Sequence, residues 1–237
     1  MLRIAFVTGT EPGKWFARYR ETTDHGLEEL PSDDPFALVE AGEADLALMR
    51  LDDRVGEPGE TYHCVGLYSE APGVAVPKDS VFAEMGEKLA PREFAGEIIN
   101  FTYKPDSLID DLRSALQIVA ANVGVAYAPA PLLKVLSKKQ VAVVELTSQP
   151  EGMEPTEIGL VWKVSADSDA IQDFVGVAKG RTRNSSRASL RPAKKTAKRN
   201  AQKSGQKSAQ KTVQKGAQNK SAQQRGRKKA GRRGRRR

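Results

Sequence analysis

The stretch Asp34-Pro-Phe-Ala-Leu-Val-Glu-Ala-Gly-Glu-Ala-Asp-Leu-Ala-Leu-Met-Arg50 reads as a helix followed by a strand. Asp34 has the side chain of an N-cap, and Pro35 stands at a first helical position, where its missing N–H is no loss. Gly42 closes the helix behind Phe36, Val39 and Ala41. Leu46 to Met49 is then apolar without alternation, which predicts a strand covered on both faces. Arg50 follows at the carboxyl end of that strand. There its planar fork of donors suits a ligand carboxylate, or a surface pair with Asp52 or Asp53.

The same alternation extends in both directions. Ile4 to Val7, Val74 to Val76, Val125 to Tyr127, Val141 to Val144 and Ile158 to Trp162 are further short apolar runs. Leu108, Leu112, Leu116, Val119 and Val123 fall on one helical face; Asp106 or Ser107 caps it, Asp110 and Asp111 suit its positive first turn, and Gly124 ends it. A third helix starts at Asp167 or Ser168 and buries Ile171, Phe174, Val175 and Ala178. Strands alternating with helices predict an α/β fold with parallel, doubly wound sheets, in which ligands sit beyond the carboxyl ends of the strands.

Charge divides the chain near Gly180. The 237 residues carry 38 Lys and Arg against 30 Asp and Glu, a net +8. From Gly180 to Arg237 there are 22 basic residues and no acidic one, which leaves 16 basic and 30 acidic residues before it: a body of −14 and a tail of +22. Beyond Leu190 the tail's apolar side chains are alanines and Val213, too few to offset the entropy of ordering, so a disordered tail is expected. The body is long enough for one α/β domain or two small lobes. Its N-terminus lacks the succession of basic, apolar and cleavage segments of a secretory signal, and no stretch approaches the roughly 18 apolar residues of a membrane span. Cys64 has no intramolecular partner, in keeping with a reducing cytosol. A cytoplasmic protein without a membrane partner is expected.

Thr8-Gly9-Thr10-Glu11-Pro12-Gly13-Lys14-Trp15 follows the first strand but is not a Walker loop: three residues separate its glycines instead of four, and Trp15 follows Lys14 where Ser or Thr is needed. A small-anion pocket at a helix start and a plain strand-to-helix turn both remain open. His25, His63 and Cys64 do not make a zinc site, and His63 and Cys64, adjacent on a strand, point to opposite faces. The pairs Asp33-Asp34, Asp52-Asp53 and Asp110-Asp111 read as caps and turns, so neither a metal nor a cofactor is expected.

The series Leu2-Arg-Ile-Ala-Phe-Val-Thr-Gly9, Leu38 to Arg50, Leu67-Tyr-Ser-Glu-Ala-Pro72 and Ala120-Ala-Asn-Val-Gly-Val-Ala-Tyr-Ala-Pro129 resembles the effector-binding domain of LysR-type transcriptional regulators. The ending Phe174 to Arg187 is similar to the actinobacterial branch of that group. The resemblance implies a two-lobed, type 2 periplasmic-binding-protein-like fold, with crossovers near Ala71 to Val76 and Glu154 to Ile158 and a ligand cleft between the lobes. Lobe I would span 1–74 and 156–179, lobe II 75–155, and the disordered polybasic tail 180–237. By position it implies ligand-binding roles for Thr8, Gly9, Thr10 and Arg50 from lobe I and for Phe101, Thr102, Ala128 and Pro129 from lobe II. A small carboxylate effector and a homodimer are the partners it implies. LysR regulators begin with a winged helix-turn-helix, whereas here Met1 immediately precedes the first strand, so a recognition helix is expected to be missing. The segment Ala90 to Asn100 looks shorter than the family pattern.

Pro192 to Arg199 resembles the Lys/Ala/Pro tails of linker histones and of some actinobacterial nucleoid proteins. Lys194, Lys195, Lys198 and Arg199, then Lys203, Lys207, Lys211 and Lys215 at a four-residue period, and Arg225, Arg227, Lys228, Lys229, Arg232, Arg233, Arg235, Arg236 and Arg237 are the candidate nucleic-acid contacts. With no aromatic residue to stack on bases, they suit non-specific binding to phosphates, of DNA in particular. The expected function is an effector-binding, accessory or atypical transcription regulator held near the nucleoid by its tail. The alternatives are a nucleoid or RNA-associated protein whose body is a dimerisation platform, and an enzyme on the same two-lobed fold.

Overall fold

In the computed structural model, which describes residues 1–57 and 59–180, Leu2–Val7 forms β1 and Gly13–Thr22 forms α1. The chain continues through β2 (Leu27–Ser32), α2 (Pro35–Glu40), β3 (Leu46–Arg50) and β4 (Tyr62–Ser69). It then passes into β5 (Pro72–Pro77), α3 (Val81–Glu84), β6 (Ile99–Thr102), α4 (Ile109–Ala120), β7 (Val125–Pro129), α5 (Ala130–Leu136) and β8 (Val141–Glu145). The described residues end with β9 (Glu157–Lys163) and α6 (Asp169–Ala178). The tail residues named above, Lys194 to Arg237, lie outside the described residues.

Two sheets result. The first has the order β2-β1-β3-β9-β4 and the second β6-β7-β5-β8. They are mixed, not parallel as the alternation of strands and helices predicted. β1 is parallel to β2 and β3, but β9 is antiparallel to β3 and β4, and β5 is antiparallel to β7 and β8. The cause is the double crossing: β4 leaves the first sheet for the second and β9 returns beside it, so the two run in opposite directions. Chain passage from the first sheet to the second falls at Glu70 and Ala71, a few residues before the expected 74/75 boundary. Glu70 N donates to Thr156 O at 3.0 Å, which ties the two crossovers together.

Both sheets are covered on both faces, as the unalternating apolar runs require. Over the first sheet, Leu2, Ile4, Leu46, Leu48, Ile158 and Leu160 pack with Phe16 and Tyr19 of α1 and Ile171, Phe174 and Val175 of α6. Its other face buries Ala5, Ala47, Met49 and Val161 against Phe36 and Val39 of α2. In the second sheet, Ala75, Ala126 and Ala128 meet Leu112, Leu116 and Val119 of α4 and Leu132 and Leu133 of α5. Val74, Val76, Val125 and Tyr127 meet Leu89 and Phe94 on the opposite face. The segment before β6 thus helps to cover this face through Phe94, together with Phe82 of α3 and with Leu146 and Met153.

The caps follow the sequence in two of three helices. Asp34 Oδ1 accepts from Ala37 N at 3.3 Å at the start of α2, and Ser168 caps α6 by accepting from Ile171 N at 3.5 Å. In α4 neither Asp106 nor Ser107 caps: the N-cap is Leu108, without a side-chain bond, and Ser107 Oγ instead accepts from Lys104 N. Leu108 and Val123, expected on the buried face, are exposed because they lie just outside the helix at either end. Ala41, likewise just past the end of α2, is also exposed.

Candidate functional site

The loop from β1 to α1 turns sharply at Gly9, whose φ is +98°. A Cβ at Gly9 would stand 2.8 Å from Arg50 Nη2 and 2.9 Å from Leu132 Cα, so a bare backbone is needed where the two lobes approach. On either side, Thr8 Oγ1 donates to Asp33 Oδ1 at 2.5 Å and Thr10 Oγ1 to the Val7 carbonyl at 2.7 Å. α1 starts behind Pro12 with no side-chain cap bond; Trp15 N and Phe16 N donate to the Pro12 carbonyl, and the N–H groups of Gly13 and Lys14 come too early in the helix for an intrahelical acceptor.

That helix start opens onto a cleft of about 440 Å3. Gly9, Thr10, Glu11, Pro12 and Trp15 line it from the loop and α1, Tyr68 from β4, and Pro131, Lys134 and Val135 from α5. The rings of Trp15 and Tyr68 lie 6.5 Å apart, an aromatic wall beside the helix start. Opposite, Lys134 Nζ lies 2.8 Å from Glu145 Oε1 and Lys88 Nζ 3.1 Å from Oε2. Their hydrogen bonds, that of Lys134 foremost, hold the Glu145 carboxyl below its ordinary range. Of the two lysines, Lys134 lines the cleft, and Glu11 lines it from the other side.

Deeper in, Arg50 is enclosed. Its Nε donates to Glu70 Oε2 at 2.8 Å, Nη2 to Glu70 Oε1 at 3.0 Å and Nη1 to the Thr8 carbonyl at 3.0 Å. The two side chains are 6% and 1% exposed, and the guanidinium carbon lies 5.9 Å from the centre of the Tyr103 ring in the second lobe. The partner of Arg50 is therefore neither Asp52 nor Asp53. Asp52 is taken by Arg54, which also reaches Asp34. Burial pushes the Tyr103 phenol up, with Arg50 pulling it back and Glu70 adding to the rise.

A second link crosses between the lobes. Arg113 of α4 donates to Asp33 at 2.8 and 3.3 Å, and Thr8 shares that carboxylate. Burial of Asp33 opposes its ionisation, but the hydrogen bonds from Arg113 and Thr8 outweigh it and hold the carboxyl below its ordinary value.

No family model and no curated protein matches the chain. Solved structures do. The BenM effector binding domain with its effector benzoate aligns with a TM-score of 0.55 at 18% identity, over 75% of this chain and 90% of that one. Full-length BenM gives 0.54 at 17%, over 75% and 66%. A reduced form of OxyR from N. meningitidis gives 0.52 at 15%, over 75% and 93%. The fold is that of a LysR-type effector-binding domain.

Within this two-lobed effector-binding fold, Gly9 and Thr10 line the cleft. Ala128 is instead packed in the core under α4, with its neighbour Pro129 buried ahead of α5. Phe101 packs partly buried against the same core, and Thr102 pairs with Tyr127 along β6 and β7. Sequence reasoning missed Trp15, Tyr68 and Lys134 in the cleft, and Glu70 and Tyr103 around Arg50. Lys134 was signalled only by the Ala-Pro-Leu-Leu start of α5, and Glu70 only by sitting at a crossover. Among the described residues, no group of three His, Cys, Asp or Glu is arranged to hold a metal, and no helix is long and apolar enough to cross a membrane.

Proposed function

We propose that the chain is a non-enzymatic effector-binding protein of a cytoplasmic, nucleoid-associated transcription regulator type, taking a small carboxylate in the cleft and holding DNA non-specifically through its basic tail. The observation that carries this reading is the cleft itself. It joins an uncapped helix start, an aromatic pair and the Lys134 ammonium in one concavity, on the fold of a BenM domain whose effector is benzoate. Backbone N–H groups at a helix start and a nearby ammonium favour an anion, and the Trp15 and Tyr68 rings favour a planar apolar body. Gly9 and Lys134 are assigned to the acidic group and Trp15 and Tyr68 to the ring, while Thr10, whose donors are spent on the Val7 carbonyl, shapes the loop. Thr8, Arg50, Phe101, Thr102, Ala128 and Pro129 support the cleft from behind. Pairing of two copies is part of the same reading.

The tail supplies affinity without base reading. Each phosphate it neutralises releases counterions, so log K falls with log salt by about 0.9 per contact. Fluorescence anisotropy with two duplexes of unrelated sequence is expected to give equal affinities, a steep salt slope, and loss of binding when residues 181–237 are deleted. Undiminished binding by the shortened chain would remove the tail from the mechanism.

For the cleft, calorimetry and thermal shift with benzoate and related aromatic carboxylates test the reading. A ligand of the folded state raises Tm by mass action, and Lys134→Ala and Trp15→Ala are expected to abolish the rise. The enclosure of Arg50 by Glu70 favours a second reading, in which the body is a platform in a nucleoid or RNA-associated protein. Failure of every carboxylate to shift Tm would select it.

A further inference from the structure

Arg50 stands where a strand end meets the gap between the lobes, the placement from which a guanidinium reads a ligand carboxylate. Three of its five N–H donors, including the pair that would grip a carboxylate in two bonds, are already taken by the chain itself. Glu70 accepts from Nε and Nη2 in the two-bond geometry that a free carboxylate would adopt. The Thr8 carbonyl takes Nη1, Gly9 closes over Nη2, and the Tyr103 ring lies alongside. Glu70 belongs to the first crossover, and its backbone N–H is held by Thr156 of the second. Its carboxylate thus reaches Arg50 from a segment fixed at both crossovers.

We propose that Glu70 is an internal ligand of the cleft: its carboxylate occupies the guanidinium fork of Arg50 and closes that fork to external carboxylates. The chain's own acid does here what an effector's acid would do, and the crossover is tethered to the first lobe without an effector. It follows, on the reading given under Proposed function, that an effector's acid is read at the start of α1 and at Lys134. Glu70 is a positioning residue with respect to that site.

The test uses the full chain with formate and acetate as probes, so it does not depend on any effector. Thermal unfolding is followed for the wild type, Glu70→Gly, and the Arg50→Met, Glu70→Gly double variant, in rising sodium formate or acetate against sodium chloride at equal ionic strength. Glu70→Gly is expected to lower Tm, and formate and acetate to restore at least half of the loss along a saturating curve that chloride does not produce. The wild type and the double variant are expected to share one smaller response, any carboxylate-specific part of which belongs to the cleft and is subtracted from that of Glu70→Gly. A Glu70→Gly chain that responds no better to formate than to chloride overturns the proposal, as does a wild type with a formate response lost in Arg50→Met. If Glu70→Gly yields no folded protein, Glu70→Gln replaces it. Its amide fills the space but carries no charge, so a lower Tm without a carboxylate-specific response is expected, and a Tm equal to that of the wild type rejects the proposal. A cleft that binds benzoate, or fails to, leaves each of these results unchanged.

Discussion

Gly9 concentrates several constraints in one residue. Its φ of +98° disfavours any side chain, and a Cβ would meet both the Arg50 guanidinium and the backbone of α5. Gly9→Ala is expected to lower stability by about 1–3 kcal/mol through strain of this kind, read as a lower urea midpoint at unchanged m-value. The buried pair behind it gives a sharper expectation. Losing one partner of a buried ion pair leaves the other uncompensated and costs about 3–5 kcal/mol, whereas replacing both with apolar residues costs far less. Arg50→Met and Glu70→Met should therefore each be strongly destabilising and the double variant much less so, giving a large coupling energy in a double-mutant cycle. Arg50 was legible from sequence because four apolar residues lead to it. Its partner was not, since Asp52 and Asp53 lie closer along the chain, and Glu70 approaches only after the chain has doubled back and run through β4 in the same direction as β3.

The inner strands announced themselves, whereas of the four edge strands only β8 did. β1, β3, β5, β7, β8 and β9 match the six apolar runs. β2 (Leu-Glu-Glu-Leu-Pro-Ser), by contrast, is an edge strand whose exposed positions carry acids, and β6 is another edge, only four residues long. The helical period in α4 set its face correctly in the middle and wrongly at the ends. Leu112→Ala, at a fully buried position, is expected to cost about 2–5 kcal/mol. Leu108→Ala, at a residue 66% exposed, should change stability by under about 0.5 kcal/mol in the same chemical unfolding assay. The link from α4 to the β2–α2 turn is sensitive to acid. Because Asp33 is held below its ordinary pKa of 3.8 in the folded chain, its contribution is full above that value and is lost as pH falls through the folded one. Arg113→Gln should flatten this part of the acid limb in urea unfolding at successive pH values, leaving the shares of Asp45 and Asp167, also held low by hydrogen bonds, in place.

For the molecule as a whole, the two lobes and their crossovers were legible through the resemblance of ordered motifs, whereas composition and alternation alone favoured parallel sheets. The antiparallel course of β9 depends on where the chain returns, which no local pattern encodes. The net charge of +8 likewise combines two opposite parts, a body of −14 and a tail of +22. The place of β9 has a consequence for biosynthesis. Among the described residues it is the last strand, yet it lies inside the first sheet, and there β4 has no strand neighbour except β9. The strands of the second sheet are contiguous in the chain, from Pro72 to Glu145. A ribosome thus releases a complete second sheet while the first still waits for its inner strand, with the β3 and β4 edges unpaired. Unpaired edges with adjoining apolar surface promote association between chains. Premature termination or cleavage before Trp162 is therefore expected to leave one finished lobe joined to an aggregating one, so that incomplete chains are removed from solution.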